Sequence, residues 1–165
     1  MSSNQISTIE LFEEKFSFSV AHFTLFSPTD RERLHGHNYQ VHASLTADIS
    51  EYGITFDYAI YKEKIFNLCQ QLNTYLLLPG ESPILQIKEK EEYYQVDFHT
   101  DKMFFLKKDV MILPLRNITL EELSLWFLND LIQDQQSLKT CGIHKILIRV
   151  SNGPGRFGSA EWRDH

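Results

Sequence analysis

Hydrophobic residues and a histidine take every second position through Phe16, Phe18, Val20 and His22, with Ser17, Ser19 and Ala21 between them. A period of two sends alternate side chains to opposite faces of an extended chain, so the run predicts a strand. The alternation returns at His35, His37, Tyr39, Val41, Ala43 and Leu45, against Asn38, Gln40, His42 and Ser44, and predicts a second strand. Between them, residues 27–33 include Pro28, Thr29 and Asp30, a composition that predicts a loop. After Gly53 the period changes. Asp57 is placed to cap a helix running to about Leu72, with Ile60, Ile65, Leu68 and Leu72 in its buried stripe. Pro79, Gly80 and Pro83 predict turns, and the charged run Lys88-Glu89-Lys90-Glu91-Glu92 predicts a solvent-facing hairpin connection between apolar segments on either side. Another strand is predicted over residues 103–106. Thr119-Leu120-Glu121-Glu122 has the spacing of a capping box, in which the Glu122 amide donates to the Thr119 hydroxyl and the Glu122 carboxylate reaches back to the Thr119 amide. Leu123, Trp126, Phe127, Leu131 and Ile132 continue it as an amphipathic helix. Residues 143–150 are rich in β-branched side chains and predict a last strand, ended by the turn Ser151-Asn152-Gly153-Pro154-Gly155. Strands before helices, twice over, predict an α+β layer with an antiparallel sheet.

Composition narrows this picture. A chain of 165 residues with 42% hydrophobic content can form one substantial core, and a single domain over residues 1–165 is expected. Acidic residues outnumber Lys plus Arg by 22 to 16, and no basic run is interleaved with aromatics, which argues against nucleic acid as a partner. No apolar stretch approaches the roughly 18 residues that mark a membrane span, and the polar opening lacks the basic and apolar regions of a secretory signal. A soluble, cytoplasmic protein with no membrane partner is the expectation. Cys69 and Cys141 form no CxxC pair, so neither a disulfide framework nor a cysteine-rich zinc site is indicated, and both read as buried thiols.

Histidine carries the chemistry. If the first two strands are neighbours, His22, His35 and His37 can converge on one metal ion and leave a fourth coordination position open; isolated core or surface histidines are the alternative. His42 lies on the opposite face and suits a surface or interface role. His99, in a turn, and His144, at the start of the last strand, could supply an acid or base through tertiary proximity, and His165 is terminal. Arg116 and Arg156 offer directional donors to phosphate oxygens or simply aid solubility. Gly153 and Gly155 fit the terminal turn better than a phosphate loop, because no Walker or dinucleotide pattern surrounds them.

Several segments in order resemble the 6-pyruvoyltetrahydropterin synthase and 6-carboxytetrahydropterin synthase family. They are His22-Phe23, Leu34-His35-Gly36-His37-Asn38-Tyr39, Gly53-Ile54-Thr55-Phe56-Asp57, residues 72–79, residues 112–122 and residues 146–162. Together they cover nearly the whole chain. The resemblance implies the tunnelling fold (T-fold), with a four-stranded antiparallel sheet and two helices packed on one face. It also implies homo-oligomers, trimers or hexamers, with sites between subunits. It assigns zinc as cofactor, His22, His35 and His37 as its ligands, and a reduced pterin as the small-molecule partner.

The chain departs from the family pattern at defined places. The family's cysteine, four residues before the histidine pair, is Arg31 here, and a guanidinium cannot serve as a base. Glu32, three residues before the pair, resembles instead the subgroup in which glutamate replaces that cysteine, which makes Glu32 the catalytic candidate. That subgroup is associated with forming 6-hydroxymethyldihydropterin, a folate precursor, from dihydroneopterin triphosphate. The family's Leu-Asp-His pattern falls on Leu72-Asn73-Thr74, so the Asp–His relay is absent, and the pterin-anchoring glutamate falls on Asn152. Thr119 and Glu121 match a threonine-x-glutamate segment and join Asn152 as substrate-binding candidates. The implied activity is that of a zinc-dependent lyase or synthase acting on the side chain of a reduced pterin. The alternatives are a 6-carboxytetrahydropterin synthase of queuosine biosynthesis, a catalytically degenerate metal-containing homologue that binds a pterin or purine, and an assembly protein retaining zinc.

Overall fold

Strand β5 (His35–Asp48) is the spine of the structure, a computed structural model that describes residues 5–164. The other elements, in chain order, are β1 (Ile6–Leu11), β2 (Ser17–His22), β3 (Leu25–Ser27), β4 (Asp30–Arg31), α1 (Ala59–Leu72), β6 (Leu76–Pro79), β7 (Gln86–Glu89), β8 (Tyr93–Phe98), β9 (Asp101–Leu106), β10 (Val110–Leu113), α2 (Leu120–Leu131), α3 (Gln135–Thr140), β11 (Ile143–Ser151) and β12 (Phe157–Arg163). At 14 residues β5 is long enough to pair twice along one edge. Its first half takes β2, from His22↔His35 to Ser17↔Gln40, and its second half takes β1, from Leu11↔Ala43 to Ile6↔Asp48. Its other edge takes β11, and β12 follows.

The α+β class stands, but the sheet is larger than four strands and not wholly antiparallel. Its order is β10-β6-β2-β5-β11-β12 with β1 also on β5, seven strands in all, and both the β10–β6 and β6–β2 pairings are parallel. The extra strands Leu76–Pro79 and Val110–Leu113 are four residues each. Apolar runs that short carry no period to distinguish strand from helix, so only their pairing reveals them. A third helix, α3, caps its first turn with Asp134, whose carboxylate accepts from the Ser137 amide. Residues 27–33 are not simply a loop either, because β3 and β4 form a small hairpin around Pro28 and Thr29.

Helices α1 and α2 pack on one face of the sheet. Phe16, Phe18, Val20, Tyr39, Val41 and Leu45 from the strands meet Tyr61, Ile65, Leu68, Leu123 and Phe127 from the helices in one buried cluster. In α1 the buried stripe is Tyr61, Ile65, Leu68, Cys69 and Leu72, while Ile60 is 48% exposed. Ile60 lies one residue, about 100° of helix rotation, off the phase set by Tyr61 and Ile65. The N-cap of α1 is Tyr58 and not Asp57, which lies one residue further out and accepts from the Ala59 amide at 3.0 Å. Thr119 caps α2 as expected, but the Glu122 carboxylate turns to Arg116 instead of reaching back to the cap. Strand β12 meets α2 so closely that a Cβ on Gly158 would lie 2.3 Å from the Leu120 carbonyl carbon. A second buried cluster, with Phe23, Leu25, Leu78, Val96 and Phe98, lies beneath the three-stranded β7–β8–β9 sheet.

Candidate metal centre and active site

Antiparallel registration of β2 and β5 puts His22 directly opposite His35, with His37 two residues further along the same face. The donor atoms of the three imidazoles lie within 4.8 Å of one another. His22 is 3% exposed, its Nδ1 faces the Ile118 carbonyl at 3.3 Å, and His35 Nδ1 faces the Arg33 carbonyl at 2.7 Å. A carbonyl only accepts, so each Nδ1 carries the proton and each Nε2 presents a lone pair. That arrangement orients metal-ligating histidines generally. Burial, reinforced by the nearby His35, pushes His22 down to about 4, which keeps it neutral and able to donate its lone pair near neutral pH. Burial and His35 also lower His37.

Does this set fit a tetrahedral ion? His22 Nε2 and His37 Nδ1 are 3.1 Å apart. Two nitrogens bound to one such ion at about 2.0–2.1 Å sit roughly 3.3 Å from each other, so this pair needs to shift by only tenths of an ångström. The Tyr39 hydroxyl lies 3.1 Å from His22 Nε2 on the buried side. Burial raises the Tyr39 phenol above its ordinary range, so it remains neutral.

Glu32 lies beside this cluster, its Oε2 3.9 Å from His35 Nε2. The Thr24 amide donates to the same oxygen at 3.0 Å, and the Glu32 amide donates to the Thr24 carbonyl at 2.8 Å. Partial burial alone would raise the carboxyl, but hydrogen bonding at Thr24 and the field of His35 outweigh it and lower the group. It is therefore ionised at neutral pH, ready to accept a proton, and a weak base that depends on placement.

A cavity of about 610 Å³ opens nearby, with Ser19, His37, Asn38, Thr74, Asn152 and Gly153 in its wall. Ser19 and Asn38 belong to the register opposite the core, so the cavity and the three imidazoles lie on different faces of the β2–β5 pair and meet at His37. The wall is tightly hydrogen-bonded. The Ser19 amide donates to Asn73 Oδ1 at 2.8 Å, the Thr74 amide to the Ser19 carbonyl at 2.7 Å, and the Ser19 hydroxyl to Asn38 Oδ1 at 2.6 Å. Thr74 is held at φ 74°, a left-handed conformation unfavourable for a β-branched residue. Arg156 Nε donates to Asn152 Oδ1 at 3.2 Å.

A profile of the 6-pyruvoyl tetrahydropterin synthase family matches residues 11–158. The chain belongs to this family. The 6-pyruvoyl tetrahydropterin synthase of Plasmodium vivax superposes with a TM-score of 0.92 at 32% identity, covering 98% of this chain and 100% of that one. Its Plasmodium falciparum counterpart gives 0.91 at 29% identity over the same shares of the two chains. Two further structures of the P. vivax enzyme replace a glutamate, described as a catalytic residue, by alanine or cysteine. A Methanocaldococcus jannaschii protein carrying the provisional name 6-carboxy-5,6,7,8-tetrahydropterin synthase is 26% identical over 142 residues, 84% of this chain and 85% of its own length.

Within this 6-pyruvoyl tetrahydropterin synthase framework, the other candidates separate. Thr119 is engaged as the cap of α2, accepting from the Glu122 amide at 3.3 Å, and Glu121 is exposed in the first turn. Arg116 is bound to Glu122. His42 faces Glu10 and Phe12 on the opposite side of the sheet, and His144 pairs with Asp48 at 3.0 Å. His99 sits in the β8–β9 turn, and His165 lies outside the described residues. Tyr39, two residues beyond His37 on the same face, adjoins the cluster, and period two in the sequence is the signal that places it there. The Ile118, Arg33 and Thr24 backbone groups left no side-chain signal to read.

Proposed function

We propose that the protein is a zinc-dependent lyase acting on the side chain of a reduced pterin such as dihydroneopterin triphosphate, with Glu32 as its base. The observation that carries this reading is the Glu32 carboxylate poised beside three convergent imidazoles. The P. vivax enzyme, in which a glutamate is described as catalytic, supports it. His22, His35 and His37 would hold the zinc, which as a Lewis acid favours negative charge developing on a nearby substrate oxygen.

The chain's own groups do the rest. Glu32 takes the proton of a side-chain hydroxyl, and as that oxygen becomes a carbonyl the adjacent carbon–carbon bond breaks. The electron pair remains on the carbon attached to the ring, conjugated with the ring C=N, and that carbon is then protonated to leave a hydroxymethyl group. Asn152, in the cavity wall, offers an amide to the heterocycle, and Thr119 and Glu121, just beyond the Ile118 carbonyl that orients His22, complete the substrate set. In this reading the protein is a cytoplasmic homo-oligomer, a trimer or hexamer, for which the open sheet edges at β10 and β12 are suitable surfaces.

Zinc-loaded protein incubated with dihydroneopterin and its triphosphate is expected to give 6-hydroxymethyldihydropterin on chromatography. Glu32→Gln should lower turnover by about 10²–10⁴-fold, the range for loss of a general base, while retaining zinc. No product at a full zinc complement, or wild-type turnover in Glu32→Gln, would overturn the assignment. The neutral Thr74 and Asn152 of the cavity wall, with Asn73 bonded to Ser19 beside them, favour one other reading, a pterin- or purine-binding homologue without turnover. Tight binding of the dihydropterin with no product would select it.

A further inference from the structure

We infer that Arg31 and Asp101 form a clamp, anchored in the β8–β9 hairpin, that positions Glu32. This rests on the reading of Glu32 as the base. Arg31 ends β4, and its guanidinium carbon lies 5.3 Å from the centre of the Phe23 ring and 6.0 Å from that of Phe98. Both rings are buried in the cluster under β7–β9. From this slot, Nη1 donates to the Glu32 carbonyl at 2.9 Å and Nη2 to Asp101 Oδ2 at 2.8 Å. A single guanidinium thus ties together the residue next to His22, the backbone of Glu32 and both ends of the β8–β9 turn.

The opposite side of Glu32 is fixed by Thr24, which accepts from its amide and donates to its carboxylate. Residue 32 is therefore held at its carbonyl by Arg31 and at its amide and carboxylate by Thr24. General-base catalysis needs this, because a misplacement of about 1 Å can cost on the order of 100-fold in rate. Arginine suits the task where lysine does not. Its planar fork reaches two acceptors in fixed directions while stacking on aromatic faces.

Neither residue need touch substrate, so both are positioning residues. Asp101 is half exposed, with 50% of its side chain accessible, and a pair of that kind adds little to folding stability. It can therefore be altered to separate placement from folding.

The test compares Arg31→Lys, Asp101→Asn and Glu32→Gln, and the Arg31→Lys/Glu32→Gln double variant, in the zinc-loaded full chain. Turnover of dihydroneopterin triphosphate, zinc content, thermal midpoint and amide hydrogen exchange at Glu32 are measured. Arg31→Lys is expected to lower kcat about 30-fold and Asp101→Asn about fivefold, with KM within threefold and zinc unchanged. The Glu32 amide should exchange faster in both, and Arg31→Lys should add nothing to the loss in Glu32→Gln. Wild-type kcat in Arg31→Lys while Glu32→Gln is impaired overturns the clamp but leaves the base assignment standing. An equal loss from Arg31→Lys in the Glu32→Gln background overturns the clamp as well. Should Arg31→Lys fail to fold, Asp101→Asn decides, and unchanged kcat and amide exchange there overturn the proposal. Wild-type turnover in Glu32→Gln removes the base assignment, and the clamp with it.

Discussion

The core-facing end of the β2–β5 pair and the cavity wall on its other face have fared differently. At the core-facing end, three imidazoles keep their registration, their carbonyl partners at Ile118 and Arg33, and a carboxylate alongside. On the cavity side, the positions that resemble the family's aspartate, histidine and glutamate are Asn73, Thr74 and Asn152, all neutral. Yet that wall is well ordered, with Asn73 and Thr74 both hydrogen-bonded to Ser19. The two faces therefore rest on separate foundations. Holding a cation requires only the strand register and a few carbonyls, whereas the ligand-facing chemistry can change without disturbing either.

The sharpest way to break this comparison is His22→Ala. It should lower zinc affinity by at least about 100-fold, since the set loses a donor, while Asn73 and Thr74 keep their bonds to Ser19. Elemental analysis of purified protein checks the first part and amide exchange at Thr74 the second; unchanged zinc content would refute the assigned ligand set.

Glu122→Gln tests the support behind the triad, because Glu122 binds Arg116 and its amide just ahead of Ile118. Arg116 foremost holds the Glu122 carboxyl below its ordinary value of 4.5. A carboxyl lowered on folding stabilises the protein above its unfolded value, and that contribution fades as pH falls through the folded one. Glu122→Gln should thus cost about 1.5 kcal/mol at pH 7 by denaturant titration, and the gap from wild type should shrink as pH drops below 4.5.

On the cavity side, Asn73→Ala removes the acceptor of the Ser19 amide and should destabilise by about 1 kcal/mol with zinc affinity unaltered. Thr74→Gly should have the smallest effect and the opposite sign. Relief of the left-handed strain, about 1–2 kcal/mol, is largely offset by the greater freedom of the unfolded chain, leaving a net gain of about 0.5 kcal/mol. A marked loss of stability in Thr74→Gly would show that its side chain holds the wall together.

Much of this was legible in the chain. The strand carrying His35 and His37 announces itself by period two, and that period alone places both imidazoles with Tyr39 on one face. The helix stripe through Ile65, Leu68 and Leu72 was equally plain. Ile60 fits that stripe in the sequence yet is exposed, because Tyr61 and Ile65 set the phase against the sheet. Strand β1 gives a weak signal, being an edge strand with Ile6 61% exposed and only Leu11, at its end, fully buried. Glu122 fits a capping box in sequence, yet a guanidinium is a stronger partner for its carboxylate than a single cap amide.

The sequence by itself determined the local periods, the helix cap at Thr119, and which residues could donate to a metal or take a proton. Only the tertiary structure decided that the Ile118 carbonyl, 96 positions from His22, would orient that imidazole, and that Asp101, 70 positions from Arg31, would grip its guanidinium. The reason is one of range. Periodicity follows from geometry repeated every few residues, whereas contacts between distant segments depend on how buried faces stack and on which strands pair, and no single stretch of chain encodes either.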